Sequence, residues 1–254
     1  MEAVAQQSCA SRSQQGRWGR SGQVGFCQDD VVNQTWSESL WAEGSATYQA
    51  ILEHPFLLGL TSGSLDPQRF AYYVAQDAHY LRDYARALAV VGAKAPTHAA
   101  AGMFARHAAG TLDVEIALHE GLLPQLGLDP TALDAIPLSP TTLSYTSYLL
   151  ATVHGGSFTE GLAAVIPCYW IYARVGAALL DQGSPDPRYQ RWIDTYAGEE
   201  FASIVTEVLT FADAHGLDLG AGDDARAREH FAITSRYEWM FWDAAWRLEQ
   251  WPFT

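Results

Sequence analysis

The sequence predicts an all-α protein, built as a single-domain bundle of eight or nine helices. Apolar residues recur at intervals of three and four positions from about residue 35 onward, which is the period of amphipathic helices and not that of strands. Proline, glycine and short polar residues divide this pattern into segments of helical length. The hydrophobic content of 48% is typical of a globular chain that buries a core.

Residues 1–34 are predicted to form a disordered tail, and residues 35–254 the helical domain. The tail is rich in Gln, Ser, Gly and Arg and cannot bury enough apolar surface to offset the entropy lost on ordering. It contains Cys9 and Cys27, while the third cysteine is Cys168. Their spacing fits neither a disulfide framework nor a zinc motif, as expected for a reducing compartment.

The charge of the chain restricts its partners. A formal net charge of −14 argues against nucleic acid and anionic membranes, because both require a concentrated basic face. We expect no apolar run long enough to span a bilayer, and the polar first thirty residues lack the apolar region of a signal peptide. The chain is therefore predicted to be cytoplasmic, with a small molecule as its partner.

The first two helices have clear start signals. Thr35 followed by Glu38 has the spacing of a capping box, and Asp66 followed by Pro67 has the residue types of an N-cap and a first helical position. The predicted helices run from Thr35 to about His54 and from Pro67 to about Lys94.

Six further helices follow from the same signals. Pro96, Pro140 and Pro167 are each placed in a first turn, where the missing N–H has no partner to lose. The predicted spans are Pro96 to Leu122 or beyond, Ser139 to Gly155, about Ile166 to Gly183, Tyr189 to Tyr196, Glu199 to His215, and Asp223 to Gln250.

Cys168 is the first candidate for chemistry. Directly after Pro167 it would lie at a helix N-terminus, where free N–H groups and the helix dipole lower the pKa of a thiol. Tyr172, four positions on, shares its helical face and would supply an aromatic wall. The alternative is a structural cysteine, since free cysteine usually packs as a small hydrophobe.

Asp77 is an acid on a face that should be apolar. Tyr73 and Tyr80 lie at helical spacings around it, and a buried carboxylate must be paired or used. It suits a bidentate contact with an amidine-like edge, such as the ring nitrogen and exocyclic amine of an aminopyrimidine. An equal alternative is a structural hydrogen bond to Arg82 or Arg86.

Glu238 lies in the densest aromatic cluster of the chain, between Tyr237 and Trp242. Desolvation there raises a carboxyl pKa toward neutrality, as a general acid at pH 7 requires. The alternative is a buried ion pair with Arg236 or Arg247.

Three weaker signals remain. Tyr145 and Tyr196 lie near connections, where a phenol can face a cavity. Glu115 and His119 have the i, i+4 spacing of a metal-binding pair, but one such pair is more often a structural hydrogen bond.

Several of these motifs, in this order, resemble the TenA family, the thiaminase II type aminopyrimidine aminohydrolases. The resemblance covers about Trp36 to Trp251. It rests on Gln76-Asp77-x-x-Tyr80-Leu81, Glu115-x-x-x-His119, Tyr145, Pro167-Cys168-Tyr169-Trp170-x-Tyr172, Tyr196 and Tyr237-Glu238-x-x-Phe241-Trp242. It implies a haem-oxygenase-like fold without haem, metal or other cofactor, and a homotetramer.

The resemblance also implies roles for individual residues. Cys168 matches the family's nucleophile, Glu238 its catalytic glutamate, and Asp77 the aspartate that holds the pyrimidine's amino edge. Tyr145 and Tyr172 would tune the thiol and order water. The aromatic positions expected to line the substrate pocket are Tyr80, Tyr145, Tyr172, Tyr196 and Phe241.

The implied reaction is hydrolysis of 4-amino-5-aminomethyl-2-methylpyrimidine, or of thiamin, to hydroxymethylpyrimidine through a covalent cysteine adduct, for thiamin salvage. Two alternatives stay open. One is a non-haem iron oxidase of the same fold that uses Glu115, His119, His79 and Glu238 as ligands. The other is a regulator that binds a pyrimidine or thiamin with an unreactive Cys168.

Overall fold

The computed structural model describes residues 34–121, 124–126 and 136–253, apart from the side chains of 114–121 and 124. These residues contain nine α-helices, one 3₁₀ turn and no strand, so the all-α prediction is confirmed for them. The helices are α1 Trp36–Leu52, α2 Pro55–Ser62, α3 Pro67–Lys94, α4 His98–Gly121, α5 Pro140–Gly155, α6 Phe158–Leu180, α7 Pro187–Ala197, α8 Glu199–Gly216 and α9 Ala221–Arg247, with the turn at Pro124–Leu126. Residues 1–33 of the predicted tail, which include Cys9 and Cys27, lie outside the described residues.

The first and third helices begin where the sequence predicts. The Thr35 hydroxyl accepts a hydrogen bond from the backbone N–H of Glu38 at 3.3 Å, and the Glu38 carboxylate accepts one from the Thr35 N–H at 3.0 Å. The Asp66 carboxylate accepts from the Gln68 N–H at 2.8 Å, and Pro67 is the first residue of α3. These caps satisfy N–H groups that have no partner inside a helix.

Helix α2 was not predicted. The sequence predicts that α1 ends near His54 and Pro55. In the structure, His54 caps α2, because its Nδ1 accepts from the Phe56 N–H at 3.1 Å, and Pro55 is the first residue of α2. Proline both ends one helix and starts another. Its position alone therefore did not distinguish a loop from a second helix.

The predicted start of α6 is wrong. The helix begins at Phe158 with a capping box between Ser157 and Glu160, and Pro167 lies inside it. Cys168 is therefore a residue of the helix interior, far from the free N–H groups of the first turn. Interior proline removes one backbone hydrogen bond, and here the surrounding helices hold the segment in place.

Helix α6 is also the centre of the core. It contacts α3, α5, α7, α8 and α9, and Leu162, Val165, Ile166 and Ile171 are fully buried. By length and composition Phe158–Leu180 could cross a membrane, which contradicts our expectation that no apolar run reaches that length. Since 72% of its most apolar stretch is buried within the protein, its composition is that required of a core helix.

Candidate active site

A cavity of about 570 Å³ lies between α3, α4, α6, α7 and α8. Helix α3 lines it with Asp77, Tyr80, Leu81 and Tyr84. These residues are spaced three, four and seven positions from the first, and therefore share one face of the helix. The predicted recognition acid and its aromatic neighbours thus form one wall of a single cavity.

Helix α6 supplies the facing chemistry. Cys168, Tyr169 and Tyr172 line the same cavity as Asp77. Tyr172 is held from behind by the Tyr73 hydroxyl, which donates to the Tyr172 hydroxyl oxygen at 3.1 Å. The predicted sharing of a face by Cys168 and Tyr172 is confirmed, although the helix begins ten residues before the sulfur.

Tyr196 reaches the cavity because α7 approaches α6 very closely. A Cβ atom on Gly176 would lie 2.5 Å from the Tyr196 carbonyl carbon, so the contact requires glycine. The Tyr196 ring packs on the Tyr172 ring with a centroid distance of 4.8 Å. Gly176 therefore places an aromatic residue from α7 on the cavity wall.

Glu238 lies behind this wall. It is 1% exposed, and it is not among the described residues that line the cavity. The Tyr145 hydroxyl donates to Glu238 Oε1 at 2.6 Å. The suggested ion pair with Arg247 does not form, because Arg247 binds Asp243 and Glu249.

The surroundings of Glu238 keep its carboxyl protonated. Burial raises the pKa of Glu238 to about 8, the Tyr145 hydrogen bond opposes this shift, and the charge of Asp77 adds to it. The prediction that desolvation brings this pKa toward neutrality is confirmed. A carboxyl that holds its proton at pH 7 can donate it to a basic nitrogen.

The predicted effect on Cys168 is wrong in sign. Burial, followed by the charge of Glu238, raises the pKa of the Cys168 thiol well above its usual value, while Tyr80 and Tyr84 lower it by hydrogen bonding. The error follows from the helix start: in the interior of α6 no free N–H groups offset desolvation. The resting thiol is therefore protonated at neutral pH.

Asp77, Cys168 and Glu238 lie close enough to influence one another. The charge of Asp77 raises the pKa of both other groups, although the three come from α3, α6 and α9. Asp77 itself is 4% exposed. Arg86, one suggested structural partner, binds Asp83 at 2.6 Å.

Tyr80, Tyr145 and Phe241 join the cavity wall to the Glu238 layer. Tyr80 lines the cavity and packs on Tyr145 and Phe241, with centroid distances of 4.9 and 5.8 Å. Its buried hydroxyl lies near Cys168 and Tyr145 without full hydrogen-bond geometry to a described residue. This hydroxyl can therefore bond to a ligand. Tyr145 and Phe241 do not themselves line the cavity within the described part of the chain.

The metal-binding alternative gains no support from the described side chains. Among them, no three His, Cys, Asp or Glu residues gather as a possible metal site. His79 Nε2 lies 2.9 Å from the backbone oxygen of Ile136, and Glu238 bonds to Tyr145. Glu115 and His119 belong to α4, but their side chains lie outside the described residues.

Several cavity residues were missed by sequence reasoning. Tyr84, Tyr169, His107 and Glu207 all line the cavity. Tyr84 lies seven positions after Asp77 on α3, so the helical period places it on the same face as Asp77. His107 on α4 and Glu207 on α8 had no such signal, because only the packing of these helices brings them together.

The fold and the site together define a class of protein. It is a helical bundle in which a thiol, a protonated carboxyl and a cluster of phenols meet beside one cavity. A protein of heme oxygenase-like fold from Shewanella denitrificans shares this fold, with a TM-score of 0.66 and 17% identity over 83% of this chain and 91% of that one. Residues 41–248 match the TENA/THI-4/PQQC family, and the chain belongs to it.

Two relatives are more similar to this chain. It is 39% identical over 211 residues to an aminopyrimidine aminohydrolase from Bacillus subtilis, covering 83% of this chain and 87% of that protein. The solved structure of a TenA homologue from P. horikoshii OT3 matches with a TM-score of 0.77 and 30% identity, covering 84% of this chain and 99% of the homologue. The family predicted from the sequence motifs is confirmed.

Proposed function

We propose that this protein is an aminopyrimidine aminohydrolase of the thiaminase II type, which produces hydroxymethylpyrimidine for thiamin salvage. The observation that carries the proposal is the position of Asp77 and Cys168 on one cavity, with Glu238 protonated directly behind it. The similarity to the Bacillus subtilis aminohydrolase supports the same reaction. The substrate is 4-amino-5-aminomethyl-2-methylpyrimidine.

Asp77 binds the amino edge of the pyrimidine and orients it. Its carboxylate accepts the hydrogen of the exocyclic amine, a charge-assisted bond that is stronger than one between neutral groups. Tyr80, Tyr172 and Tyr196 provide aromatic surface around a flat ring. Asp77 thus selects the heterocycle and holds it against the thiol.

Cys168 and Glu238 carry the covalent steps. The sulfur adds to a ring carbon as a ring nitrogen takes a proton that Glu238 supplies through the Tyr145 hydroxyl, so that the ring loses its aromaticity. The displaced electron pair then expels the aminomethyl nitrogen, which enters as an ammonium group and therefore leaves as neutral ammonia. Water adds to the exocyclic methylene and releases one proton to solvent. The sulfur then departs, the ring nitrogen returns its proton to Glu238 through Tyr145, and the ring becomes aromatic again.

The substitution Cys168→Ser tests the covalent scheme. We expect turnover of the aminomethylpyrimidine to fall about 1,000-fold or more, because a serine hydroxyl is a far weaker nucleophile than a thiol at this site. Cys27→Ser is the matched control and should keep full activity. Turnover of Cys168→Ser within a few-fold of wild type would rule out the adduct.

A second candidate function has one specific observation in its favour. The raised pKa of the Cys168 thiol fits a pyrimidine or thiamin binder in which this thiol is inert. Tight binding of the aminomethylpyrimidine by calorimetry, with no product formed over hours, would support the binder. Product formation that depends on Cys168 excludes it.

Assembly and location complete the proposal. The protein acts in the cytoplasm as a homotetramer on a free small molecule, as the resemblance to the TenA family and the acidic net charge of −14 suggest. Light scattering should give four times the chain mass of 27.9 kDa. A mass of one chain at working concentration would contradict the tetramer.

A further inference from the structure

A chain of three polar side chains leads from the cavity to solvent. The Tyr169 hydroxyl lies 3.1 Å from His107 Nδ1, and His107 Nε2 lies 3.1 Å from Glu207 Oε2. All three residues line the cavity. The His107 side chain is 6% exposed and that of Glu207 is 46% exposed, so the chain begins inside the protein and ends in water.

The carboxylate of Glu207 decides which nitrogen of His107 can act as a base. A carboxylate only accepts hydrogen bonds, so Nε2 carries the proton and Nδ1 accepts from the Tyr169 hydroxyl. Catalytic triads use the same arrangement to fix a histidine tautomer. Arg106 donates to the other Glu207 oxygen at 2.7 Å and holds the carboxylate in place.

At its inner end, Tyr169 lines the same cavity as Tyr84 and Cys168. The Tyr84 and Tyr169 rings contact edge to face with a centroid distance of 5.8 Å. A charge on Cys168 raises the pKa of both tyrosines, more than any other influence except burial. The Tyr84 hydroxyl donates to the Val165 carbonyl at 2.9 Å, and its hydrogen bonding lowers the pKa of the Cys168 thiol and of Tyr169.

The thiol needs such a partner. Cys168 is protonated at rest and must lose its proton as the sulfur bonds to carbon. Glu238 already holds a proton and delivers it to the ring in the proposed reaction. One of its oxygens already accepts from Tyr145, and Glu238 does not line the cavity that Cys168 lines, so the thiol proton needs another acceptor.

We propose that Tyr84, Tyr169, His107 and Glu207 form the outlet for the proton of Cys168, an inference that rests on the proposed function. As the S–C bond forms, the Tyr84 hydroxyl rotates away from the Val165 carbonyl. The thiol proton passes to the Tyr84 oxygen, and the proton of the Tyr84 hydroxyl passes to Tyr169. The Tyr169 proton passes to His107 Nδ1, and the imidazolium pairs with Glu207. Departure of the sulfur returns the proton by the same path.

His107 and Glu207 act through the tyrosines and are positioning residues, so the test needs a pH readout. Among the described side chains, the titratable and charged groups that face His107 are Arg106 on α4, Tyr169 on α6 and Glu207 on α8. Glu207 favours protonation of His107, while Arg106 opposes it. Burial lowers the pKa of His107 below its usual 6.5. Since only neutral imidazole can accept a proton, kcat should fall as the pH drops through this pKa.

The experiment measures kcat against pH for the full-length protein at saturating aminomethylpyrimidine. His107→Asn keeps an acceptor near the Nδ1 position but cannot take up a proton. We expect its kcat to be about 100-fold lower and its acid limb to disappear. In Glu207→Gln the acid limb should move about one unit to lower pH, because the imidazolium loses its counter-charge.

The protein contains a matched control at a second histidine, His230. His230 Nδ1 lies 2.7 Å from the Tyr148 hydroxyl, and its Nε2 lies 3.6 Å from Glu160 Oε1. This second carboxylate, histidine and tyrosine set is absent from the described lining of the cavity. His230→Asn should leave kcat and its pH profile unchanged within about two-fold.

Alkylation separates this inference from the proposed function. Iodoacetamide labelling of Cys168, followed by mass spectrometry of its peptide, requires loss of the thiol proton but no turnover. We expect it to slow about ten-fold at pH 7 in His107→Asn and to be unchanged in His230→Asn. Equal labelling rates in wild type and His107→Asn, or a wild-type acid limb in His107→Asn, would overturn the outlet. If labelling is slowed in His107→Asn but the wild type shows no turnover, only the hydrolase assignment is overturned. If His107→Asn does not fold, Glu207→Gln, at a half-exposed position, provides the test: an acid limb that stays where it is in the wild type would overturn the outlet.

Discussion

Asp77 and Glu238 are both buried acids on long helices, yet they occupy different environments. Asp77 lines the cavity at 4% exposure. Glu238, at 1% exposure, lies behind the wall and is bonded to Tyr145. An acid on the cavity can bind a ligand through its charge, whereas an acid sealed among aromatic rings keeps its proton.

The contrast shows how one bundle gives two carboxyl groups different roles. Tyr80 forms the boundary, since it lines the cavity on one side and contacts Tyr145 on the other. We call Asp77, Cys168 and Tyr196 the open half of the site, and Glu238, Tyr145 and Phe241 the closed half. The open half should control substrate binding, and the closed half proton transfer.

Among changes that test the two halves of the site, the largest effect is expected from Glu238→Gln. The amide keeps the shape of the side chain but provides no acidic proton, so kcat should fall about 100- to 10,000-fold. KM for the aminomethylpyrimidine should change little, because Glu238 does not line the cavity. Steady-state kinetics at pH 7 decide this, and a rise in KM without a fall in kcat would contradict the closed half's role.

The next largest effect is the pH dependence that Glu238 gives to the free energy of unfolding. The folded-state pKa of Glu238 is about 8 against an ordinary 4.5, so the folded protein holds a proton that the unfolded chain releases between these values. The free energy of unfolding should therefore fall by up to about 1.4 kcal/mol per pH unit as pH rises through this window. Urea unfolding of wild type and Glu238→Gln measures it. Parallel pH dependences for the two proteins would show that Glu238 titrates normally.

A smaller effect is expected from Asp77→Asn. Loss of the charged acceptor should weaken substrate binding about 10- to 100-fold, the usual cost of removing a hydrogen bond to a charged group. The change should appear as a higher KM, since Asp77 is on the cavity. If kcat fell and KM did not, Asp77 would belong with the acids that move protons.

Tyr145→Phe should give the smallest change and sharpen the division. The Tyr145 hydroxyl stabilises the ionised form of Glu238 and lowers its pKa, so its removal should raise that pKa. The alkaline limb of kcat, expected near pH 8 for a protonated general acid, should move about one unit upward. Activity at pH 7 should stay within about ten-fold, and an unmoved limb would refute the coupling.

The match between sequence and structure differs from one helix to the next. The start of α3 at Pro67 and its end at Lys94 agree with the prediction, because local caps set them. The start of α6 did not agree, because the predicted first turn at Pro167 lies inside a helix that tertiary packing stabilises. The prediction for the Cys168 pKa failed with it.

The sequence by itself determined the helical class, most helix boundaries, the family, and the identity of Asp77, Cys168 and Glu238 as the unusual polar residues, because hydrophobic period, capping and motif order are local properties. Only the tertiary structure decided that Asp77 and Cys168 share a cavity while Glu238 is sealed behind it, and that His107 meets Glu207. Burial and pKa depend on which helices pack together. That packing is a property of the whole chain and not of any one segment.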